Sequence, residues 1–94
     1  MWKAQGQPHE ARPLYEEALQ ARREVLGDRH PDTLASVNNL GSLLEAQGQL
    51  DEARPLYEEA LRARREVLGD RHPDTLTSIN NMGALLHEMG QLEE

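Results

Sequence analysis

Several residue types that usually anchor a fold or its chemistry are scarce or missing in this chain. Its 94 residues contain no Cys, which excludes a disulfide framework and thiol catalysis and removes the strongest zinc ligands. Phe is absent too, and one Trp and two Tyr are the only aromatic residues, so any core is thin and aliphatic. No apolar run approaches the roughly 18–20 residues that a membrane-spanning helix needs, and nothing resembles a signal peptide.

Positive charge is also in short supply. The chain has 10 Lys and Arg against 17 Asp and Glu, a formal net charge of −7. This balance argues against nucleic acid or an anionic membrane surface as the main partner. The residues that are abundant, namely Ala, Leu, Glu, Arg and Gln, are good helix formers. We therefore expect a soluble, acidic, helical and cytoplasmic chain.

An internal repeat is the most informative feature of the sequence. A shift of 42 positions aligns residues 5–46 with residues 47–88 without a gap, and 33 of the 42 pairs are identical. Below, the residue 42 positions away is called a residue's counterpart. Self-similarity at a fixed period of this size is typical of repeat architectures.

Each repeat contains two amphipathic helix patterns. The apolar residues of the first follow an i, i+3, i+4, i+7 spacing, which places them on one helix face: Leu34, Val37, Leu40, Gly41 and Leu44. Those of the second also form one stripe: Ala53, Leu56, Tyr57, Ala60, Leu61, Val67 and Leu68. With glycines as stops and prolines as starts, the pattern predicts helices over roughly Pro8–Leu26, Thr33–Gln47, Asp51–Leu68 and Thr75–Met89.

These helices form hairpins that cannot bury their stripes alone. The prediction is therefore an all-α fold, an α-solenoid of stacked antiparallel helix hairpins. We expect one domain over residues 1–94, with a partial repeat at 1–32, a full repeat at 33–74 and a partial repeat at 75–94. A single long coiled coil is the rival fold, but the Gly-Gln-Leu and Gly-Asp-Arg-His-Pro breaks disfavour it.

The same residues carry a family resemblance. The pattern Leu40-Gly41, Leu44, Gly48, Leu50, Ala53, Tyr57, Ala60-Leu61 resembles the tetratricopeptide repeat, whose usual period is about 34 residues. The longer period here is similar to the variety found in kinesin light chains. The resemblance covers essentially the whole chain, and it implies a non-enzymatic scaffold without a cofactor.

The two ends cut the repeat at awkward places. MWKAQG keeps the last turn of a helix, with Trp2 where Leu44 stands in the next repeat, and Trp2 is either packed or disordered. QLEE opens a helix that does not continue. We expect a fragment of a longer array, or a designed one, whose end helices expose complementary apolar faces. Homo-oligomers formed by end-to-end stacking would follow.

An Asp-x-His-x-Asp cluster stands in both repeats, at Asp28–Asp32 and Asp70–Asp74. A metal site needs three or four converging ligands with supporting groups, and catalysis needs a nucleophile and a pocket; neither is indicated. A structural interpretation accounts for every residue: Gly27 stops a helix, Pro31 starts the next, and Asp32 places charge at its N-terminus. We predict no metal site and no catalytic residue here.

The resemblance implies a concave groove lined by the first helix of each hairpin. The groove positions are Ala35, Asn38, Ser42 and Glu45, with Ala46, and in the next repeat Thr77, Asn80, Ala84 and His87, with Glu88. Only nine positions differ between the aligned repeats, and four of these five groove positions are among them. Divergence is thus concentrated where a ligand would be recognised.

Amides and carboxylates dominate this groove. Asn38 and Asn80 could pair with a peptide backbone or tie helices together, and for Asn39 and Asn81 the tether is favoured. The Lys and Arg clamp by which some relatives hold a peptide carboxylate is absent, since Thr77 and Asn81 stand there. We therefore expect an extended peptide or helix of a protein partner, neutral to basic in charge. The alternative is a structural module that stacks without a dedicated ligand.

Overall fold

The computed structural model describes residues 8–93, and side chains from Ala11 to Gln91. Four α-helices account for almost all of this part: α1 (Pro8–Leu26), α2 (Pro31–Ala46), α3 (Leu50–Leu68) and α4 (Pro73–Glu93). The prediction for Trp2 lies outside the described residues. No strand occurs between residues 8 and 93.

Consecutive helices pack against each other, α1 on α2, α2 on α3 and α3 on α4. The all-α solenoid of stacked hairpins is thereby confirmed. Helices α2 and α4 each begin two residues earlier than predicted, because Pro31 and Pro73 are themselves the first helical residues. In addition, α2 ends one residue earlier than predicted and α3 begins one residue earlier. The largest difference is at the end of α4. It continues through Gly90 to Glu93 as one helix, whereas its counterpart α2 ends at Ala46 before the turn at Gly48.

The core lies between α2 and α3. The predicted α2 stripe is buried in full, from Leu34 to Leu44. In α3 the stripe is only partly right: Ala53, Tyr57 and Ala60 are buried, but Val67 near the helix end is exposed. The core cluster consists of Leu19, Val37, Leu40, Leu44, Leu50, Ala53, Tyr57, Ala60 and Leu85.

A glycine sets the distance between α2 and α3. A Cβ placed on Gly41 would lie 2.9 Å from Cδ1 and Cε1 of the Tyr57 ring, closer than real Cβ contacts come. Its counterpart in α4, Gly83, has no atom within 4 Å of the same position. The close approach of the two backbones therefore requires glycine at position 41 and leaves position 83 free.

The contrast predicts opposite effects of one substitution. Gly83→Ala should raise the free energy of unfolding by up to about 1 kcal/mol, because Ala favours the helix. Gly41→Ala should lower it by about 1–2 kcal/mol, since overpacking against a buried ring outweighs the same helix gain. Urea unfolding of both variants measures the difference. Equal stabilisation by the two substitutions would contradict the close approach.

Candidate functional site

The predicted groove residues follow one edge of α2 and one edge of α4. Asn38, Ala35 and Glu45 are half-buried. The remaining five are exposed: Ser42, Thr77, Asn80, Ala84 and His87. Two of the exposed ones bond within their own helix, Thr77 Oγ1 to the Pro73 carbonyl at 3.1 Å and His87 Nε2 to Gln91 Nε2 at 3.1 Å. We refer to this row of eight residues as the groove face.

An amide pair joins the two helices of the groove face. Asn81 Nδ2 donates to Asn38 Oδ1 at 3.0 Å, which links α4 to α2. This bond confirms the predicted tether for Asn81. It also gives Asn38 a structural role, which uses its amide oxygen and leaves its amino group for other partners. Asn80 is exposed beside this link.

The hydroxyl group of Tyr57 ties α3 to the groove face. It donates to Glu45 Oε1 at 2.7 Å and lies 3.0 Å from Ser42 Oγ. Burial of the ring raises the pKa of Tyr57 to about 12, and the neighbouring Glu45 carboxylate adds to this effect. Sequence reasoning placed Tyr57 in the core only. The signal available was that a buried Tyr needs a polar partner within reach.

A pair of carboxyl groups meets at this point. The carboxyl group of Glu88 on α4 lies beside that of Glu45 on α2, and this contact raises the pKa of the Glu88 carboxyl. Two carboxylates side by side repel each other unless a proton or another cation lies between them. The structure thus brings Glu45 and Glu88 together with Tyr57 and Ser42 in one polar cluster. This arrangement favours a positively charged group at the groove face.

The two histidines of the repeated connector act as helix caps. His30 Nδ1 accepts the backbone N–H of Asp32 at 3.0 Å, and His72 Nδ1 accepts that of Asp74 at 3.0 Å. A ring nitrogen that accepts a backbone N–H is occupied and cannot also bind a metal. Within residues 8–93 no group of three His, Asp or Glu side chains is placed to hold a metal ion. The sequence had suggested the turn but not the capping role of His.

An arginine fixes each connector from the other side, and of the two Arg64 is buried while Arg22 is exposed. Arg64 Nη1 donates to the Asp74 carbonyl oxygen at 3.2 Å and to Ser78 Oγ at 2.9 Å, and Thr75 Oγ1 donates to the Arg64 carbonyl at 3.2 Å. Arg22 repeats these bonds with Asp32, Ser36 and Thr33. Neither acceptor is a carboxylate, since both arginines bond a backbone carbonyl and a serine hydroxyl. Because burial is not offset by direct contact with a carboxylate, the pKa of Arg64 is lowered.

Two surface depressions lie away from the groove face. One, of about 220 Å³, is lined by Tyr15, Ala18, Arg22, Ser36 and Asn39. The other, of about 570 Å³, is lined by Glu58, Leu61, Arg62, Arg65, Glu66 and Met82. Neither includes a predicted groove residue. They occupy the two ends of the helix stack.

Within the described part of the chain, no helix is long and apolar enough to cross a membrane.

Comparison with solved structures supports the fold. The crystal structure of BtubC (BKLC) from P. vanneervenii superposes with a TM-score of 0.82 at 24% sequence identity, covering 89% of this chain and 33% of that one.

Comparisons of sequence give the family. Tetratricopeptide repeat protein 19, mitochondrial, from Homo sapiens is 41% identical over 39 residues, which are 42% of this chain and 10% of the relative. The chain thus spans a third or less of the length of these two proteins. A family model described as tetratricopeptide repeat matches residues 3–66 and, overlapping them, residues 34–94. Since these matches together extend over nearly the whole sequence, the chain belongs to the tetratricopeptide repeat family.

Proposed function

We propose that this chain is a protein-interaction module that binds an extended, positively charged peptide along the groove face. Tetratricopeptide repeats are in general non-enzymatic modules for protein–protein interaction. The observation that carries the finer proposal is the Glu45–Glu88 carboxyl pair, which bridges α2 and α4 at the point where the two repeats diverge. A Lys or Arg side chain placed between the two carboxyl groups relieves their repulsion.

The exposed Asn80 supplies the second contact. Its amide offers both a donor and an acceptor, so it can pair with the backbone of an extended peptide of any sequence. Asn38 contributes its amino group, while its oxygen already accepts one hydrogen bond from Asn81. In this arrangement the carboxyl pair selects charge, and the amides hold the main chain.

The probe for this proposal is a blocked, Ala- and Ser-rich peptide with a single central Lys, compared with the same peptide carrying Gln or Glu instead. We expect the Lys peptide to bind the wild-type chain, and Glu88→Gln to weaken binding about fivefold to tenfold, as the loss of one charged contact does. Asn80→Ala should weaken it about fivefold, whichever residue the peptide carries at its centre. Isothermal titration calorimetry measures the affinity of each of the three chains for each of the three peptides.

The matched control is Asp51→Asn, which removes one negative charge from an exposed position in the first turn of α3. It should leave the affinity unchanged. Equal weakening by Asp51→Asn and Glu88→Gln would mean that only net charge matters, and equal binding of the Lys and Glu peptides would exclude the acidic contact.

The same contact predicts a pH dependence. The pKa of the Glu88 carboxyl is raised, so this group takes up a proton earlier on acidification than an ordinary glutamate does. A bound Lys needs the charged form. Affinity should therefore be complete above the raised pKa and fall as the pH drops through it, and Glu88→Gln should flatten this dependence in the same titrations.

A further inference from the structure

The end of the stack formed by α1 and α2, here the N-terminal face, is open. It consists of Tyr15, Ala18, Arg22, Ser36 and Asn39, which line the smaller depression. The counterparts of all five are identical residues: Tyr57, Ala60, Arg64, Ser78 and Asn81. In the second repeat this surface is covered by α2, so Tyr57 is 2% exposed while Tyr15 is 42% exposed. The packing of α2 on the second repeat therefore shows which kind of helix fits the N-terminal face.

The opposite end, the C-terminal face, is formed by α4 and α3. Its exposed apolar residues are Leu76, Ile79 and Leu86. Their counterparts in α2 are Leu34, Val37 and Leu44, all of them buried in the packed interior. The larger depression between α3 and α4, lined by Leu61 and Met82, lies beside them. The counterparts of these two, Leu19 and Leu40, belong to the closed core.

We propose that a second copy of this chain covers these faces. In this contact, α4 of one copy packs against α1 and α2 of the next copy, in the same way that α2 packs against α3 and α4 within one molecule. Each face is one half of an interface that the molecule already forms internally. With two periods of 42 residues, residue n of the second copy takes the place of residue n+84 in a continuous stack. This self-association uses the ends of the stack, and it shares Asn80, Ala84 and His87 with the groove face.

The shift of 84 residues predicts which residues of the two copies are in contact. The ring of Tyr15 lies on Gly83 of the first copy, as the ring of Tyr57 lies on Gly41. Asn39 donates to Asn80 of the first copy, as Asn81 donates to Asn38 at 3.0 Å. The glycine and the two amides of these contacts are retained at the ends, although four of the five groove positions have changed.

The charges are complementary as well. Across the internal interface Arg23 Nη1 bonds Glu59 Oε2 at 2.7 Å, and Arg29 pairs with Glu66. In the stack, the counterparts Arg65 and Arg71 of one copy face Glu17 and Glu24 of the next. All four groups are exposed in the single chain. This match of arginines and carboxylates favours a second copy of the chain over a partner of unrelated sequence.

Two features distinguish the ends from the internal interface. Ala84 and His87 replace Ser42 and Glu45, so the Tyr15 hydroxyl meets an imidazole in place of a carboxylate. In addition, α4 continues to Glu93, whereas its counterpart α2 ends at Ala46. The contact joins different faces and does not close on itself, so chains of more than two copies form as the concentration rises.

The experiment blocks one face at a time. Gly83→Leu fills the seat of the Tyr15 ring, and Ala18→Glu places a bulky charge in the N-terminal face. Both positions are open in the single chain, so the fold is retained, which thermal unfolding of the dilute variants verifies. In sedimentation equilibrium the wild-type mass should rise with concentration, and each variant should require a roughly tenfold to hundredfold higher concentration, as overpacked contacts do.

Mixing the two blocked variants gives the decisive measurement. Each retains one intact face, so the mixture should form a one-to-one pair and stop there, although neither variant associates alone. Gly90→Leu, at another open glycine of α4, should associate like the wild type. A wild-type chain that stays monomeric at millimolar concentration would overturn the proposal. A mixture that does not pair would overturn it too, as would equal blocking by Gly90→Leu.

Discussion

Tyr57→Ala is expected to lower the free energy of unfolding by about 3–5 kcal/mol, the usual range for removing a large buried ring. The ring is 2% exposed and lies against Gly41, so its loss leaves a cavity between α2 and α3 that the helices cannot close. Its hydroxyl also holds Glu45 and Ser42. A chain of this length has a total stability of about 5–14 kcal/mol, so this one change removes a large part of it. Urea unfolding followed by circular dichroism measures the loss.

The repeat provides the matched control, because Tyr15 occupies the counterpart position and is 42% exposed. Tyr15→Ala should cost less than about 1 kcal/mol in the dilute chain, as surface substitutions do. Similar losses for the two variants would show that the rings have equivalent surroundings, contrary to the structure. Tyr57→Phe removes the hydroxyl group and keeps the ring. It should lower the free energy of unfolding by about 1 kcal/mol, the usual contribution of one hydrogen bond.

Alkaline pH tests the same hydroxyl. The pKa of Tyr57 is raised to about 12 from the ordinary value near 10, so the folded chain favours the neutral phenol. Its contribution to stability is complete below pH 10 and is lost as the pH rises toward 12. Tyr57→Phe should therefore lose less stability over this range than the wild type.

The helices and their stacking could be predicted because the signals for them are local. Apolar spacing defines the α2 stripe, and Gly69 and Pro73 mark one connector; all of these agree with the structure. The end of α4 could not be predicted in this way. Gly48 and Gly90 are both followed by Gln-Leu, yet α4 runs through Gly90 while a turn forms at Gly48, so this glycine signal alone does not determine where the helix ends. At Gly48 the turn leads into α3, which packs back against α2.

The candidate site was predictable only in outline. The groove positions follow from the helix face that they share, but the partners of their side chains depend on distances between helices. Asn81 reaches Asn38, and Glu88 reaches Glu45, because α2 and α4 lie side by side; nothing in the spacing of either helix contains this information. The acceptors of Arg64 could not be predicted from the sequence for the same reason. The backbone carbonyl of Asp74 is the group within reach, and the Asp74 carboxylate is not.

The second large effect is expected at Leu34. It is 0% exposed at the start of α2, and Leu34→Ala should lower the free energy of unfolding by about 2–5 kcal/mol through lost burial and the cavity that remains. Its counterpart Leu76 has the same neighbours in sequence from Gly69 to Thr75 but is 49% exposed at the start of α4. Leu76→Ala should cost less than about 1 kcal/mol in a dilute solution. Thermal and urea unfolding at low micromolar concentration compare the two.

The concentration dependence of this stability loss then shows whether the surface around Leu76 binds a second copy. If copies stack as proposed, Leu76 becomes covered by α1 of the next copy, and binding stabilises the folded state by mass action. The wild type should therefore gain stability as its concentration rises, while Leu76→Ala gains little. The loss of unfolding free energy caused by Leu76→Ala should then grow with concentration and approach the loss caused by Leu34→Ala. Leu34 is already buried, so the cost of Leu34→Ala within one molecule does not depend on stacking. A Leu76→Ala cost that stays constant from micromolar to millimolar concentration would show that this face meets nothing.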